Sequence, residues 1–77
     1  MIKDELDRVV KKIPHREAFE GNEDMWDTLH DFLDSGNLED AQVVLQVIAV
    51  EHPEYEEILY EVYYGLDAIM FDAKYGD

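Results

Sequence analysis

Acidic residues near the middle of the chain are the side chains whose type and spacing best fit a chemical task. They follow one another at intervals of four, three, four and three residues, and they are Glu20, Asp24, Asp27, Asp31 and Asp34. In a continuous helix the last four carboxylates form one stripe, about 4.5 to 6 Å apart along the axis, and Glu20 joins it if the helix begins early. One strand of a nucleic acid carries a phosphate about every 3.4 Å along its axis. The stripe therefore predicts a surface that imitates nucleic-acid charge, and a solvated outer face is the alternative.

The last third of the chain continues this pattern and adds aromatic side chains to it. Acids recur there at intervals of three and four residues among several tyrosines. The candidate partner-binding residues of this stretch are Glu54, Glu57, Glu61, Tyr60, Tyr63 and Tyr64. Tyrosine is enriched in protein interfaces, and the aromatic rings here exceed what one small core encloses. We expect the carboxylates to accelerate the encounter with a basic partner and the tyrosines to prolong the complex. Packing of the tyrosines against the first helix is the alternative.

The charge of the chain is large and unevenly distributed. There are 6 Lys and Arg residues against 20 Asp and Glu residues, which gives a net charge of −14. No Lys or Arg lies between Glu17 and Ala73, a stretch that contains sixteen acids. A surface made only for solubility usually mixes both signs, because like charges four residues apart on a helix cost about 0.2 to 0.5 kcal/mol. A hydrophobic content of 47% still predicts a folded chain rather than a disordered one.

Length and composition predict a single acidic helical domain over residues 1–77. The absence of cysteine excludes disulfides and thiolate metal sites, and it agrees with a reducing cytoplasm. No apolar run approaches the roughly 18 to 20 residues that span a bilayer, and the first sixteen residues lack the apolar segment of a signal peptide. We therefore expect a cytoplasmic protein that contacts no membrane.

Enzymatic and metal chemistry find little support in the sequence. There is no glycine-rich phosphate loop and no nucleophile elbow, and the single serine, Ser35, lies in a turn. The histidines His15, His30 and His52 are scattered along the chain. Asp27 and His30 have a spacing that suits a carboxylate–histidine metal site, but ordinary surface histidines are the preferred interpretation. We expect no catalytic residue, no metal and no cofactor.

Helices must position these side chains. Apolar residues at intervals of three and four predict a first helix, and they are Ile2, Leu6, Val9 and Val10. This helix should end at or before Ile13, because Pro14 lacks a backbone N–H and disfavours helical geometry in the residue before it. Phe19 can then reach the core. A second helix is predicted from an Asn22 cap to about Asp34.

The third helix, near residues 38–51 and capped by Asn37, is the element that the other helices must cover. Eight of the ten residues AQVVLQVIAV within it are apolar, so we expect it to be enclosed on most sides. Pro53 then starts a fourth helix, with a kink or a close helix contact at Gly65 and a fraying tail from Lys74. The prediction is an all-α fold, a small antiparallel bundle of about four helices around this central apolar helix.

A second pattern spans about residues 22–66. It combines a glycine, a small alanine, large apolar residues and a closing proline, at Gly36, Asn37, Leu38, Ala41, Leu45, Ile48 and Pro53. These residues resemble the second half of a tetratricopeptide repeat, and the stretch from Met25 to Phe32 resembles its first helix more loosely. Leu29 and Ile48 stand where that family favours small residues. The resemblance implies antiparallel helical hairpins and a binding role, although an array needs about three repeats.

These observations favour a non-enzymatic binding protein. The leading hypothesis is inhibition or sequestration of a basic, DNA- or RNA-binding protein by charge mimicry, with no direct binding of nucleic acid. Anti-restriction and anti-CRISPR proteins of phages and mobile elements, and nuclease immunity proteins, use small acidic folds in this way. One alternative is a tetratricopeptide-like scaffold or chaperone. The other is a structural subunit whose acidity maintains solubility, and a homodimer through the last helix is a further option.

Overall fold

The computed structural model describes residues 2–75, and every regular element in that range is helical. The α-helices are α1 (Ile2–Val10), α2 (Glu23–Ser35), α3 (Leu38–Glu51) and α4 (Glu56–Tyr75), and 3₁₀ helices occupy Arg16–Phe19 and Pro53–Tyr55. The predicted all-α antiparallel bundle is therefore confirmed. The tail was predicted to fray from Lys74, but α4 continues through Lys74 and Tyr75, so that part of the prediction is wrong. Residues 76–77, and the side chain of Ile2, which was predicted to face the core, lie outside the described residues.

The helices pack in the spatial order α2, α3, α4, α1. Helix α3 lies between α2 and α4, and α1 packs against α4. Their apolar faces, together with the segments that join the helices, enclose one core whose largest fully buried side chains are Phe19, Leu29, Leu45, Ile48, Leu59, Val62 and Leu66. Phe19 therefore reaches the core as predicted.

Local sequence determines where the helices end. Helix α1 stops at Val10, before Pro14, in agreement with the predicted boundary. Gly36 ends α2 in the left-handed region at φ 81°, and the N–H of Asn37 donates to the carbonyl of Phe32 at 2.8 Å. Pro53 opens the 3₁₀ turn that leads into α4.

The asparagine caps occupy the predicted positions but do not use their side chains as expected. Asn22 precedes α2 and Asn37 precedes α3, and neither side chain bonds to the first turn of its helix. The Asn22 amide instead lies 2.9 Å from Nε2 of His52, and the Asn37 amide donates to the Ser35 hydroxyl at 3.0 Å. His52 also meets the edge of Phe19, with ring centroids 5.1 Å apart. Asn22 thus joins the entry of α2 to the exit of α3.

Helix α3 is central, but its enclosure is less complete than predicted. Val43, Val47 and Val50 are 59%, 43% and 78% exposed. Gln42 is buried and donates a hydrogen bond of 3.0 Å to the backbone carbonyl of Tyr63 in α4. The valines are exposed because α2 and α4 cover only two sides of α3, while α1 packs against α4 instead. One face of α3 is therefore open.

Gly65 marks the close helix contact that the sequence predicted. A Cβ atom at this position would lie 2.9 Å from Cγ2 and 3.2 Å from Cγ1 of Val9 in α1. Real Cβ atoms do not approach carbon this closely, so glycine permits α1 to rest directly on the backbone of α4.

Substitution Gly65→Ala should lower the free energy of unfolding by about 1 kcal/mol, although alanine is the better helix former. Overpacking costs about 1 to 3 kcal/mol, and the gain in helix propensity of about 1 kcal/mol offsets only part of it. The double variant Gly65→Ala, Val9→Ala should lose less than the sum of the two single losses. Urea unfolding measures all three. A Gly65→Ala variant more stable than the parent would show that α1 does not press on α4 here.

Candidate functional site

A shallow groove of about 700 Å³ on the outer side of the start of α4 collects five of the predicted partner-binding residues. Its lining residues are Pro53, Glu54, Glu56, Glu57, Tyr60, Glu61 and Tyr64. Pro53 turns the chain into the helix, and the helical period then places acids and tyrosines on the same side. We call this feature the acidic groove. It combines four carboxylates with two aromatic rings.

The tyrosines beside the acidic groove pack against one another. The ring centroids of Tyr60, Tyr63 and Tyr64 lie 5.4 to 6.3 Å apart in the three pairs. Tyr64 is 65% exposed, whereas Tyr60 and Tyr63 are partly buried, and Tyr63 does not line the groove. Because neighbouring rings already restrict Tyr60 and Tyr64, a partner that covers them has less side-chain motion to arrest.

The acidic stripe predicted on the second helix is shorter than the sequence suggested. Helix α2 begins at Glu23, and Gly21 has a φ of 90°, so Glu20 lies before the helix and outside the stripe. Asp24, Asp31 and Asp34 are exposed on α2. The alternative in which the helix begins early enough to include Glu20 is therefore wrong. The left-handed backbone at Gly21 prevents the helix from extending back to Glu20.

Two of the predicted carboxylates are paired with bases from the segment between α1 and α2. The Arg16 guanidinium donates from Nε to Oδ1 of Asp27 at 2.9 Å and from Nη2 to Oδ2 at 3.2 Å. Lys12 Nζ lies 2.8 Å from Oε1 of Glu61 in the acidic groove. Hydrogen bonds from Arg16, and then its charge, hold the pKa of Asp27 below its ordinary value. These two bases lie just outside the stretch that lacks Lys and Arg.

The remaining candidate acids have no such compensation in the part of the chain that the structure describes. Within residues 2–75, no Lys or Arg forms an ion pair with Asp24, Asp31, Asp34, Glu54 or Glu57. Glu54 has only Nδ1 of His52 near it, at 3.8 Å. Among the candidate acids, the uncompensated charge therefore divides between the exposed side of α2 and the acidic groove, while other exposed acids lie on α3 and the end of α4.

His30 lies among the acids of α2, but its side chain is partly buried and packs against Trp26. Its ring lies 3.8 Å from that of Trp26, and its Nε2 is buried with no hydrogen-bond partner among the described residues. Burial lowers the pKa of His30, although Asp34, Asp27 and Asp31 each favour the protonated form. Among residues 2–75, no group of three or more His, Asp and Glu side chains is arranged to hold a metal ion.

A second cleft, of about 490 Å³, lies between α1 and α4 and has a different electrostatic character. Arg8 and Lys12 line it together with Glu5 and Asp72, so both signs of charge are present. Its charges largely offset one another. The acidic groove is the better candidate for recognition of a basic partner, because its carboxylates share one sign.

The exposed valines on α3, which are Val43, Val47 and Val50, were not foreseen as surface features, and each is more than 40% exposed. Exposed aromatic rings on α4 were expected, and Tyr64 and Phe71 are 65% and 62% exposed. The signal in the sequence was that acids end the valine stripe on both sides, at Glu39, Asp40 and Glu51. Such a stripe suits the open side of a helix that has two neighbours.

Comparison with known proteins gives no relative from which a function could be transferred: no family model, no curated protein and no solved structure matches the chain significantly. None of the helices within residues 2–75 has the length and apolar character required to cross a membrane.

Substitution Arg16→Gln should raise the pKa of Asp27, since it removes the guanidinium that binds the carboxylate. Side-chain ¹³C NMR titration of the parent and the variant measures this directly. Arg8→Gln is the control variant, since it removes a guanidinium that forms no ion pair with Asp27 among the described residues, and it should leave the pKa of Asp27 unchanged. If Asp27 titrates unchanged in the Arg16→Gln variant, the pairing with Arg16 is absent in solution.

Acidification should destabilise the parent relative to a His30→Phe variant. Because the pKa of His30 is lowered in the fold, the unfolded chain takes up a proton at about pH 6.5 that the folded chain resists. The contribution of His30 to stability is thus complete above about pH 6.5 and decreases as the pH falls below it. Phenylalanine retains an aromatic ring against Trp26 and has no such proton. Urea unfolding of both proteins across this range provides the measurement, and a constant difference between them would contradict the expectation.

Proposed function

We propose that this protein inhibits or sequesters a basic, nucleic-acid-binding protein in the cytoplasm by presenting carboxylates where that partner normally binds phosphates. The observation that supports this most is the acidic groove, in which Glu54, Glu56 and Glu57 adjoin Tyr60 and Tyr64. A carboxylate and a phosphate both accept paired hydrogen bonds from an Arg guanidinium. The groove needs no catalytic residue and no cofactor for this role.

Long-range electrostatics account for the first step of binding. A net charge of −14 on a 77-residue chain attracts a cationic surface from a distance and raises the association rate. Salt screens this attraction within about 10 Å at 0.1 M ionic strength. Binding should therefore weaken steeply as the salt concentration rises.

Aromatic contact accounts for the lifetime of the complex. Tyr64 is largely exposed and Tyr60 partly exposed in the lining of the acidic groove, so a partner that closes over them removes apolar surface from water. The ring faces also suit the guanidinium groups of arginine, which stack on aromatic side chains. Carboxylates thus govern encounter, and tyrosines govern dissociation.

The exposed side of α2 presents further carboxylates, separate from the acidic groove, and their contributions to binding are unequal. Asp24, Asp31 and Asp34 are exposed and available to a partner, whereas Asp27 is already bound to Arg16. A partner cation that engages Asp27 must compete with that guanidinium. Asp31 is therefore expected to contribute more to binding than Asp27.

A tetratricopeptide-like scaffold or chaperone is the second candidate, and the open face of α3 favours it. Val43, Val47 and Val50 offer an apolar stripe to which an amphipathic helix could bind. Binding there would tolerate salt, since apolar contact is screened little. A structural subunit, whose acidity serves only solubility, would show no difference between variants of equal charge.

Neutralisation of three groove carboxylates tests the proposal against a control of the same net charge. The test variant carries Glu54→Gln, Glu56→Gln and Glu57→Gln, and the control carries Asp4→Asn, Asp7→Asn and Glu17→Gln. Each immobilised protein is exposed to a cell lysate, and bound proteins are eluted with a salt gradient. The control should retain a nucleic-acid-binding protein that duplex DNA or RNA displaces, and the test variant should retain about tenfold less of it.

Equal retention by the test and control variants would contradict the proposal, because binding would then depend on net charge alone. Retention that persists at high salt and depends on Val43, Val47 and Val50 would instead support the scaffold function. A captured protein that nucleic acid fails to displace would exclude mimicry at its nucleic-acid site.

A further inference from the structure

The outward side of α4 carries a regular row of side chains that are exposed except for the partly buried Tyr60. Its members recur at intervals of three, four, three, four and three residues, and they are Glu57, Tyr60, Tyr64, Asp67, Phe71 and Lys74. The end of the row nearest the C-terminus also lines a groove of about 340 Å³ with Glu39 and Gln42 of α3. Tyr64 and Phe71 are 65% and 62% exposed. This spacing is that of the seam along which two helices pair in a coiled coil. The row, which we call the α4 seam, is about 26 Å long at the usual helical rise.

In an antiparallel pair of α4 helices, the second copy presents the α4 seam in the opposite direction, so that unlike side chains meet. An antiparallel partner helix related by a two-fold axis between Tyr64 and Asp67 would place Glu57 opposite Lys74 and Tyr60 opposite Phe71. Tyr64 would face Asp67, whose carboxylate accepts a hydrogen bond from the phenol. Each of these three pairings occurs twice in a symmetric pair, as an isologous interface requires. A parallel arrangement would instead oppose Glu57 to Glu57 and Lys74 to Lys74.

We propose that two copies of this chain associate through the α4 seam as an antiparallel homodimer. Charge complementarity identifies a second copy as the occupant. Lys74 is the only Lys or Arg in residues 17–77, and the antiparallel register places it opposite an acid. Within residues 2–75, neither Lys74 nor Glu57 forms an ion pair inside the chain. Lys74 Nζ lies 5.5 Å from the centroid of the Tyr75 ring, a contact that leaves its ammonium able to pair with an acid of a second copy.

The open face of α3 does not offer the same self-complementarity. Its valines are bounded by Asp40 at one end and Glu51 at the other, with no base on the helix. An antiparallel second copy would bring these acids together, and like charges repel. Self-association is thus specific to α4 among the two exposed apolar faces.

The α4 seam and the acidic groove share Glu57, Tyr60 and Tyr64, so one chain cannot use both at once. Homodimerisation through the α4 seam and partner binding at the acidic groove should also respond to salt in opposite directions. Two copies each carrying −14 repel one another, and salt screens that repulsion, so the homodimer should tighten as salt rises. Homodimerisation does not rest on the proposed function, since it requires no other protein.

Sedimentation equilibrium tests the homodimer by comparing the purified parent chain with variants in which the sign of a seam charge is reversed. Glu57→Lys and Lys74→Glu should each raise the dissociation constant about tenfold, because each variant opposes like charges at both ends of the seam. The double variant restores both pairs in reversed polarity and should dimerise within about twofold of the parent. Glu17→Lys is the matched control, since it carries the same net charge as Glu57→Lys away from the seam, and it should dimerise at least as well as the parent.

A parent chain that stays monomeric at every protein and salt concentration tested would overturn the homodimer. Equal dissociation constants for the parent and both single variants would exclude this register. Failure of the double variant to recover, with far-ultraviolet circular dichroism showing intact helices, would also exclude it. The sedimentation experiments use no other protein. A result that excludes the homodimer therefore leaves the proposed function untouched, and the groove variants test that function separately.

Discussion

Repulsion among carboxylates is the constraint that this fold must overcome. Twenty acids face six bases in 77 residues, and the apolar core centred on Phe19, Leu45 and Leu66 supplies the opposing free energy. Within residues 2–75, the ion pairs made by Lys or Arg are Arg16 with Asp27 and Lys12 with Glu61. Both are exposed, and exposed pairs contribute little stability. They are better understood as ties that attach the segment between α1 and α2 to the acid-rich helices α2 and α4.

The pattern of compensation divides the acids into two groups with different consequences. Asp27 and Glu61 are engaged within the chain, whereas Asp31 and Glu57 remain open to an external cation. The groove around Glu57 adds exposed tyrosine surface to this open charge. We propose a basic protein and a second copy of the chain as alternative occupants of that surface. The first would bind by attraction at low salt, and the second by apolar contact once salt has screened the repulsion.

Local features of the fold could be predicted from the sequence, but contacts between distant residues could not. Pro14, Gly36 and Pro53 act on the backbone beside them, so the helix boundaries near them could be predicted. Gly65 is costly in a helix interior, so a kink or a close contact with another helix was predicted there, and in the structure the neighbour is α1. The tie between Arg16 and Asp27 depends on how two helices are placed, which periodicity does not specify. Helical spacing and the surplus of aromatic residues indicated five of the acids and tyrosines that line the groove. They missed Glu56 and included Tyr63, which does not line it. The exposure of the α3 valines could not be predicted, because it depends on α1 packing against α4 and not against α3.

Urea unfolding of the unmodified chain over a series of NaCl concentrations, in dilute solution where the monomer prevails, tests most directly whether uncompensated carboxylates oppose the fold. If they do, the free energy of unfolding rises with salt, because screening weakens repulsion among exposed charges more than it weakens the apolar core. A free energy of unfolding that falls with salt would contradict this. It would show that the charges attract one another within the fold and are compensated there, leaving no open acidic surface for a cationic partner.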